Sequence, residues 1–320
     1  MKCAFKGCAE TPLSLAEFCW EHLPDKKVFR ERLEQAAREK KDLTGYNLKK
    51  TDLSRADLSG GHLFDSRLEG AELLGANLSH CDLTHCSLKG ADLTKADLSY
   101  ARLWNADMAG ANLTECDLSF ADLWNARLFN VKLWRADFSG AMTLAKSNFS
   151  QETGFLKNHK INEKGPLAAE ESYRNLKRYF MANGMYNDAS WASFKEKTME
   201  RAILKKKRDP NYIPSLVMNI LCGYGEKPYR IVLASLFAIL IFAFLYLSFN
   251  SVEAPGAQNQ TLKWSDYIYY STVTFTTVGY GDIIPKPHAA FRLLAACEAF
   301  IGVFLTGLFI FTLARKYSAR

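Results

Sequence analysis

The 320-residue sequence predicts a multidomain protein, with a repetitive solenoid half joined through helices to a membrane-spanning half. Three observations predict it: a five-residue apolar period that holds from position 43 to position 138, two long apolar segments at 231–249 and 293–314, and a glycine-bearing run between them. Whole-chain averages conceal the division. With 48% apolar residues and a net charge of +7, the composition alone suits an ordinary soluble chain of about two domains.

Residues 1–25 read as a small metal-binding module. Cys3, Cys8, Cys19 and His22 follow the spacing Cys-x4-Cys-x10-Cys-x2-His, in a segment too short to bury a core unaided. Thiolates with an imidazole suit tetrahedral zinc, so these four residues are expected to hold a structural Zn2+ ion. The alternative is three unrelated cysteines beside a surface histidine. No continuous apolar core resembles a secretory leader here, and none is expected. Residues 26–40 read as a charged helix that covers the open apolar end of the solenoid, as terminal caps do in repeat proteins.

Residues 41–147 carry the repeat. Twenty consecutive central positions at five-residue spacing are Leu, apart from Met108 and Phe138, and the residue two places before each is mostly Ala, Cys, Ser or Gly. A period of five fits neither the roughly 3.6 of a helix nor the roughly 2 of a strand. It fits a chain that turns a corner every five residues, with the large and the small position both pointing inward. The pattern, clearest in Ala91-Asp92-Leu93-Thr94-Lys95-Ala96-Asp97-Leu98, resembles the pentapeptide-repeat family. The resemblance implies a right-handed quadrilateral β-helix with four repeats per coil, its five coils stacked to about 24 Å. Tyr46 and Thr51 at small positions predict a less regular first coil.

Stacking at a 20-residue spacing places Phe64, Thr84, Trp104 and Trp124 in one exposed column, Asn105 and Asn125 in the next, and Tyr100 with Phe120 at a neighbouring corner. Such columns either stabilise the coils as ladders or, at the Phe64, Trp104 and Trp124 face, offer a contact surface for a sister subunit or another protein. Cys81, Cys86 and Cys116 occupy small inward positions and read as packing residues.

Residues 148–210 read as a cytoplasmic helical hairpin, broken at Asn183-Gly184 and ended before Asp209-Pro210, and residues 211–227 as a short interfacial helix. Residues 156–230 hold 15 Lys and Arg against 8 Asp and Glu. Anionic membrane lipid beside a span accounts for that excess better than nucleic acid does. Nor does the repeat region, with 14 acidic and 10 basic residues across 42–142, carry the acidic surface that DNA mimicry needs. No nucleic-acid partner is expected.

Residues 228–316 read as a pore domain and 317–320 as a tail. The segment 231–249 has 19 uncharged positions, nearly enough at about 1.5 Å per residue to cross about 30 Å of hydrocarbon, and 293–314 carries a single charge, Glu298. Between them residues 264–276 read as a short helix ending at Thr277-Val278-Gly279-Tyr280-Gly281-Asp282, where its negative dipole end favours a cation. This arrangement resembles the two-transmembrane-helix potassium-channel family and its TVGYG filter. The resemblance implies an all-α tetrameric pore in which the carbonyls of Thr277, Val278, Gly279 and Tyr280 replace the hydration shell of K+, the permeant ion. Gly279 and Gly281 tolerate the positive φ that such a strand needs. By the same resemblance Trp264, Thr276, Asp282 and Glu298 support the filter, Gly302 or Gly307 serves as a hinge, and Thr306, Phe309 and Phe311 are inner-pore positions. Glu298 is expected to be paired behind the pore rather than to bind an ion, since an unpaired charge in lipid is costly. One signature per chain requires a homotetramer.

Lys205, Lys206, Lys207, Arg208, Lys227 and Arg230 precede the first span, and Arg315, Lys316 and Arg320 follow the second. A two-span protein of the cell membrane with both termini cytoplasmic is therefore expected. A poorly selective cation channel and a membrane-tethered interaction or scaffold protein are the alternatives; the Gly-Tyr-Gly at 279–281 argues against the first. No phosphate loop, dinucleotide fingerprint or nucleophile set supports an enzyme. Without an array of intramembrane arginines, intrinsic voltage sensing is not expected. With only a short tail after the second span, ligand control is expected to enter from the N-terminal side.

Overall fold

A computed structural model describes residues 2–151, 158–159, 165–255 and 262–318. Parts of the expected 148–210 connector and the end of the 317–320 tail, including Arg320, lie outside the described residues. The chain divides into two compact units, Met1–Ile203 and Leu204–Arg320.

In the first unit a looped segment with one 3-10 turn (Trp20–His22) leads into α1 (Lys26–Arg38). Asp25 caps this helix by accepting from the Val28 N–H at 2.9 Å. Phe29, Leu33, Ala36 and Ala37 recur at helical spacing and form its buried face. That face packs into the same core as Leu43 and Leu48, so α1 shields leucines of the first coil that would otherwise meet water.

Residues twenty apart then pair through parallel bridges, beginning with Asp42↔His62, Asn47↔Arg67, Asp52↔Glu72 and Asp57↔Asn77 and ending with Asp122↔Met142. Each coil is therefore twenty residues long and carries four columns of bridges. The bridges are isolated because only a few residues separate one corner from the next. The central leucines are fully buried, and even Phe138 in the last coil is only 4% exposed.

The corners have a physical cause that repeats with the sequence. Two residues after each centre the backbone turns left-handed, at glycines such as Gly60 and Gly90 but also at Lys50, Asp65, Tyr100 and Phe120. A side chain in that conformation costs about 1–2 kcal/mol. Local bonds offset the cost: the Asp or Asn before the centre accepts from the N–H two residues on, as Asp52 does from Ser54 at 3.0 Å and Asp97 from Ser99 at 2.9 Å. Small inward residues add a second tie to the preceding coil. Ser66 Oγ, Cys81 Sγ and Cys86 Sγ donate to the carbonyls of Leu43, Leu58 and Leu63 at 2.8, 2.9 and 2.7 Å. Burial pushes the Cys81 and Cys86 thiols up to about 12, so both remain neutral packing groups.

The outer columns form ladders. His80 stacks on Tyr100 at 4.9 Å and Tyr100 on Phe120 at 4.8 Å, while Asn125 Nδ2 donates to Asn105 Oδ1 at 2.7 Å. Trp104 meets Trp124 edge-on at 6.2 Å, but Thr84 between Phe64 and Trp104 is 8% exposed, so the expected exposed column is interrupted there. The stack ends at Gly140 (φ 66°), where a Cβ would lie 2.5 Å from Phe120 Cε1. Gly140→Ala is therefore expected to lose about 1–2 kcal/mol from backbone strain and to unstack Phe120. A urea midpoint equal to that of the unmodified protein would contradict this.

At the far end, Asn148 in a second 3-10 turn (Lys146–Phe149) plugs the last coil. Its Nδ2 donates to Leu123 O at 3.0 Å and Ala126 O at 2.8 Å, and its Oδ1 accepts from the Ala145 N–H at 2.7 Å. A two-residue strand, β1 (Ser150–Gln151), pairs antiparallel with β2 (Asn158–His159). Two helices follow, α2 (Pro166–Ala182) and α3 (Tyr186–Lys207), joined by a turn with Gly184 at φ 69°. Leu176, Phe180, Ala189 and Ala192 join the solenoid core, so this hairpin closes its second end. Glu196, only 7% exposed, accepts from Arg174 at 3.2 Å and Lys177 at 3.1 Å across the two helices.

The second unit is α4 (Tyr212–Cys222), α5 (Tyr229–Ser248), β3 (Val252–Glu253), α6 (Trp264–Phe275), β4 (Ile284–Pro285) and α7 (Ala289–Ser318). Gly223, at φ 55° and ψ 44°, ends α4 in a left-handed cap. The helix α7 runs beyond position 316, so the start of the expected tail is still helical. Both α5 and α7 are long and apolar enough to cross a membrane, and their apolar windows are only 17% and 22% buried within the chain. Phe237 on α5 and Phe300 on α7, 66% and 74% exposed, need lipid or another copy against them.

Candidate ion-conducting site

The helix α6 aims its C-terminal end at residues 276–282. Its first turn is fixed by Asp266 Oδ2, which accepts from the Lys263 N–H at 2.7 Å. Its last turn is closed by Thr276, whose N–H and Oγ1 reach Thr272 O at 3.0 and 2.8 Å. Thr277, Gly279 and Gly281 then take φ of 57°, 58° and 78°, whereas Val278 and Tyr280 between them are not left-handed. Alternation of this kind swings successive carbonyls toward one side. Residue type pointed only to the glycines; a β-branched Thr277 at positive φ costs on the order of 1–3 kcal/mol, and nothing in the sequence marks it.

Among the described residues, no donor reaches the carbonyl oxygens of Thr277, Val278, Gly279 or Tyr280. The whole run 276–282 is exposed within the chain, Val278 at 53% and Tyr280 at 73%. Unpaired carbonyls at membrane depth must find a partner, and a row of them offers oxygen ligands to a dehydrated cation. The chain leaving the run is pinned by β4 on β3, with Val252 opposite Pro285, and by the Lys286 N–H on Ser251 O at 2.9 Å. The Tyr269 hydroxyl faces the Asp282 carboxylate, a contact that sequence reading missed. Trp264 is not brought to the run within the chain: it opens α6, about 16 Å from Phe275 along the helix axis.

Comparison with known proteins finds similarities to both units. The family described as "Ion channel" matches residues 234–319, and "Pentapeptide repeats (8 copies)" matches 62–99, 106–142 and 116–151. Two pore potassium channel b of Oryza sativa subsp. japonica is 34% identical over 93 residues, 28% of this chain and 25% of that protein. Two-pore potassium channel 1 of Arabidopsis thaliana is 38% identical over 74 residues, 22% of this chain and 20% of that protein. The second unit is similar to the pore regions of potassium-channel proteins. The chain spans about a quarter or less of the length of these curated relatives. Among solved structures, HetL, a pentapeptide repeat protein involved in heterocyst differentiation regulation in Nostoc, is 30% identical over 32% of this chain and 55% of that chain, with a TM-score of 0.23.

Behind residues 276–282, the two glycines of α7 differ. A Cβ on Gly302 would fall onto the Phe275 carbonyl oxygen and stand 2.8 Å from the carbonyl carbon, so α7 approaches the end of α6 only because position 302 lacks a side chain. At Gly307 a Cβ would meet nothing within 4 Å. Glu298 is fully buried, and its partners are now named. Tyr246 Oη on α5 donates to Glu298 Oε2 at 2.6 Å, and Ser271 Oγ on α6 bonds Oε1 while also reaching Ile239 O at 2.9 Å. One carboxyl group thus ties α7 to both other helices of the pore. Cys222, Ile231, Phe275 and Leu305 form a second cluster, through which α4 touches the pore helices. Phe309 packs partly buried against that cluster, while Thr306 and Phe311 are exposed.

In the first unit Cys3, Cys8, Cys19 and His22 converge, with one ligand atom of each within 4.8 Å of all the others. Such a cluster can hold a metal ion. Burial raises the Cys3 thiol, but the N–H groups of Cys19 and Phe5 and the side chains of Cys19 and His22 outweigh it and hold the thiol at about 7.

Proposed function

We propose that the protein is a potassium-selective channel in which four copies surround one axis. The observation that carries this reading is the row of carbonyls at Thr277, Val278, Gly279 and Tyr280, which meets no donor among the described residues, is set at alternating backbone hand and follows the end of α6. Each chain supplies one quarter of every oxygen ring, so a homotetramer completes the coordination of K+. The exposed apolar faces of α5 and α7 are then divided between lipid and neighbouring subunits. Basic residues before the first span and after the second favour cytoplasmic termini in the cell membrane, with a right-handed quadrilateral β-helix that serves assembly or regulation.

Flux from liposomes tests this. The purified protein is expected to pass K+ far faster than Na+, and Gly279→Ala to abolish the flux, because alanine at φ 58° is strained by about 1–2 kcal/mol in every subunit. Equal permeation of the two ions would identify a poorly selective cation channel instead. No flux of either ion would leave only a membrane-tethered scaffold.

A further inference from the structure

We infer that Cys3, Cys8, Cys19 and His22 form a closed zinc site that clasps the N-terminal segment onto the first coil of the solenoid. Zinc–sulfur bonds of about 2.3 Å and zinc–nitrogen bonds of about 2.0 Å in a tetrahedron separate sulfur from sulfur by about 3.8 Å and sulfur from nitrogen by about 3.5 Å. Three of the six ligand pairs stand near these separations, and all four ligand atoms lie within 4.8 Å of one another. Cys8 Sγ lies 3.8 Å from Cys19 Sγ, and His22 Nδ1 lies 3.8 Å from Cys3 Sγ and 3.2 Å from Cys19 Sγ. Three thiols and an imidazole cannot be explained as a disulfide, whose sulfurs stand about 2.05 Å apart and which leaves one thiol and the ring without a role.

The surroundings are built to orient ligands. The Cys19 N–H donates to Cys3 Sγ at 3.3 Å, a bond that favours thiolate at that sulfur. Phe5 stacks on the His22 ring at 4.0 Å and 5°, which fixes the imidazole plane with Nδ1 toward the sulfurs. The Cys3 N–H on Glu10 O and the Ala4 N–H on Glu17 O, both at 2.9 Å, bring the two halves of the loop together. Four protein ligands fill a tetrahedral shell and leave no position for water, which marks the ion as structural rather than catalytic.

The loop held by this cluster is fastened to the first coil at two residues. Asn47 takes the main part: its N–H donates to Ser14 Oγ at 2.8 Å, its Nδ2 to Pro12 O at 2.6 Å and Thr11 Oγ1 at 3.1 Å, and its carbonyl accepts from the Ser14 N–H at 3.1 Å. Lys50 adds an ion pair with Glu10 at 2.7 Å. Between them Leu13 enters the solenoid core at 3% exposure. With so few apolar residues of its own, the segment draws its order from metal binding, and folding and binding energy are then one quantity.

Elemental analysis of the full-length protein, purified without chelator, is expected to find about one zinc per chain, and Cys19→Ser/His22→Ala to lose it. Cys81→Ala/Cys86→Ala, which removes two buried thiols of the solenoid, is expected to retain it. Protein refolded or exchanged with cobalt(II) is expected to show the visible bands of a tetrahedral thiolate site, a readout that does not depend on the ligand variant folding. Limited proteolysis is expected to cut the first ~25 residues only after chelation. The inference is overturned if metal-free protein keeps this segment protease-resistant, if the ligand variant keeps its zinc, or if cobalt gives no tetrahedral thiolate spectrum.

Discussion

Gly302→Ala is expected to abolish ion flux and to weaken the assembled pore, whereas Gly307→Ala is expected to leave assembly unchanged. The contrast follows from where each missing side chain would go. At 302 the added methyl lands on the Phe275 carbonyl, a backbone atom at the end of the helix that leads into residues 276–282, and neither group can rotate away. Overpacking of this kind costs about 1–3 kcal/mol or more, and any relief moves α6 and hence the carbonyl row. At 307 the methyl enters open space, so the change gains about 1 kcal/mol of helix propensity and stiffens α7 at its one unpacked glycine. Gating, not assembly, is the readout there. Wild-type flux from the Gly302→Ala protein would disprove the close approach of α6 and α7, and unaltered opening statistics for Gly307→Ala would remove it as a hinge.

Glu298→Ala is expected to lower the dissociation temperature of the assembled protein far more than Glu298→Gln. Alanine leaves the buried Tyr246 hydroxyl without its acceptor, reduces Ser271 to its bond with Ile239 O, and opens a cavity where three helices meet. An unsatisfied buried group costs about 1–3 kcal/mol and the lost packing adds a similar amount. Glutamine keeps the shape and supplies an oxygen for Tyr246 and an N–H for Ser271. Gel-filtration thermal melts in detergent distinguish the two. Equal melting of the alanine and unmodified proteins would show that the carboxyl group does not join the helices.

Much of this architecture was legible because it repeats or because it is chemically unusual. The five-residue spacing of Leu43 through Phe138 is a statement about corners, and the left-handed residue two places after each centre is its structural form. The Thr277 to Gly281 run was legible for the opposite reason, since few sequences place two glycines around one tyrosine between two apolar spans. Partners of single residues were not legible. Nothing in the sequence told that Asn148 would plug the last coil, that α2 and α3 would close it, or that Tyr269 would reach Asp282.

The sequence by itself determined the two kinds of half, the coil length and the apolar spans, because periodicity and composition act locally along the chain. Only the tertiary structure decided what depends on distance between remote residues. It gave Glu298 its partners 52 and 27 positions away, made Gly302 a contact and left Gly307 open, and drew Cys3 to within bonding reach of His22. Two glycines five residues apart on one helix look alike in sequence. They differ because 3.6 residues per turn, roughly, puts them on different sides of α7, and only one of those sides faces the carbonyl of Phe275.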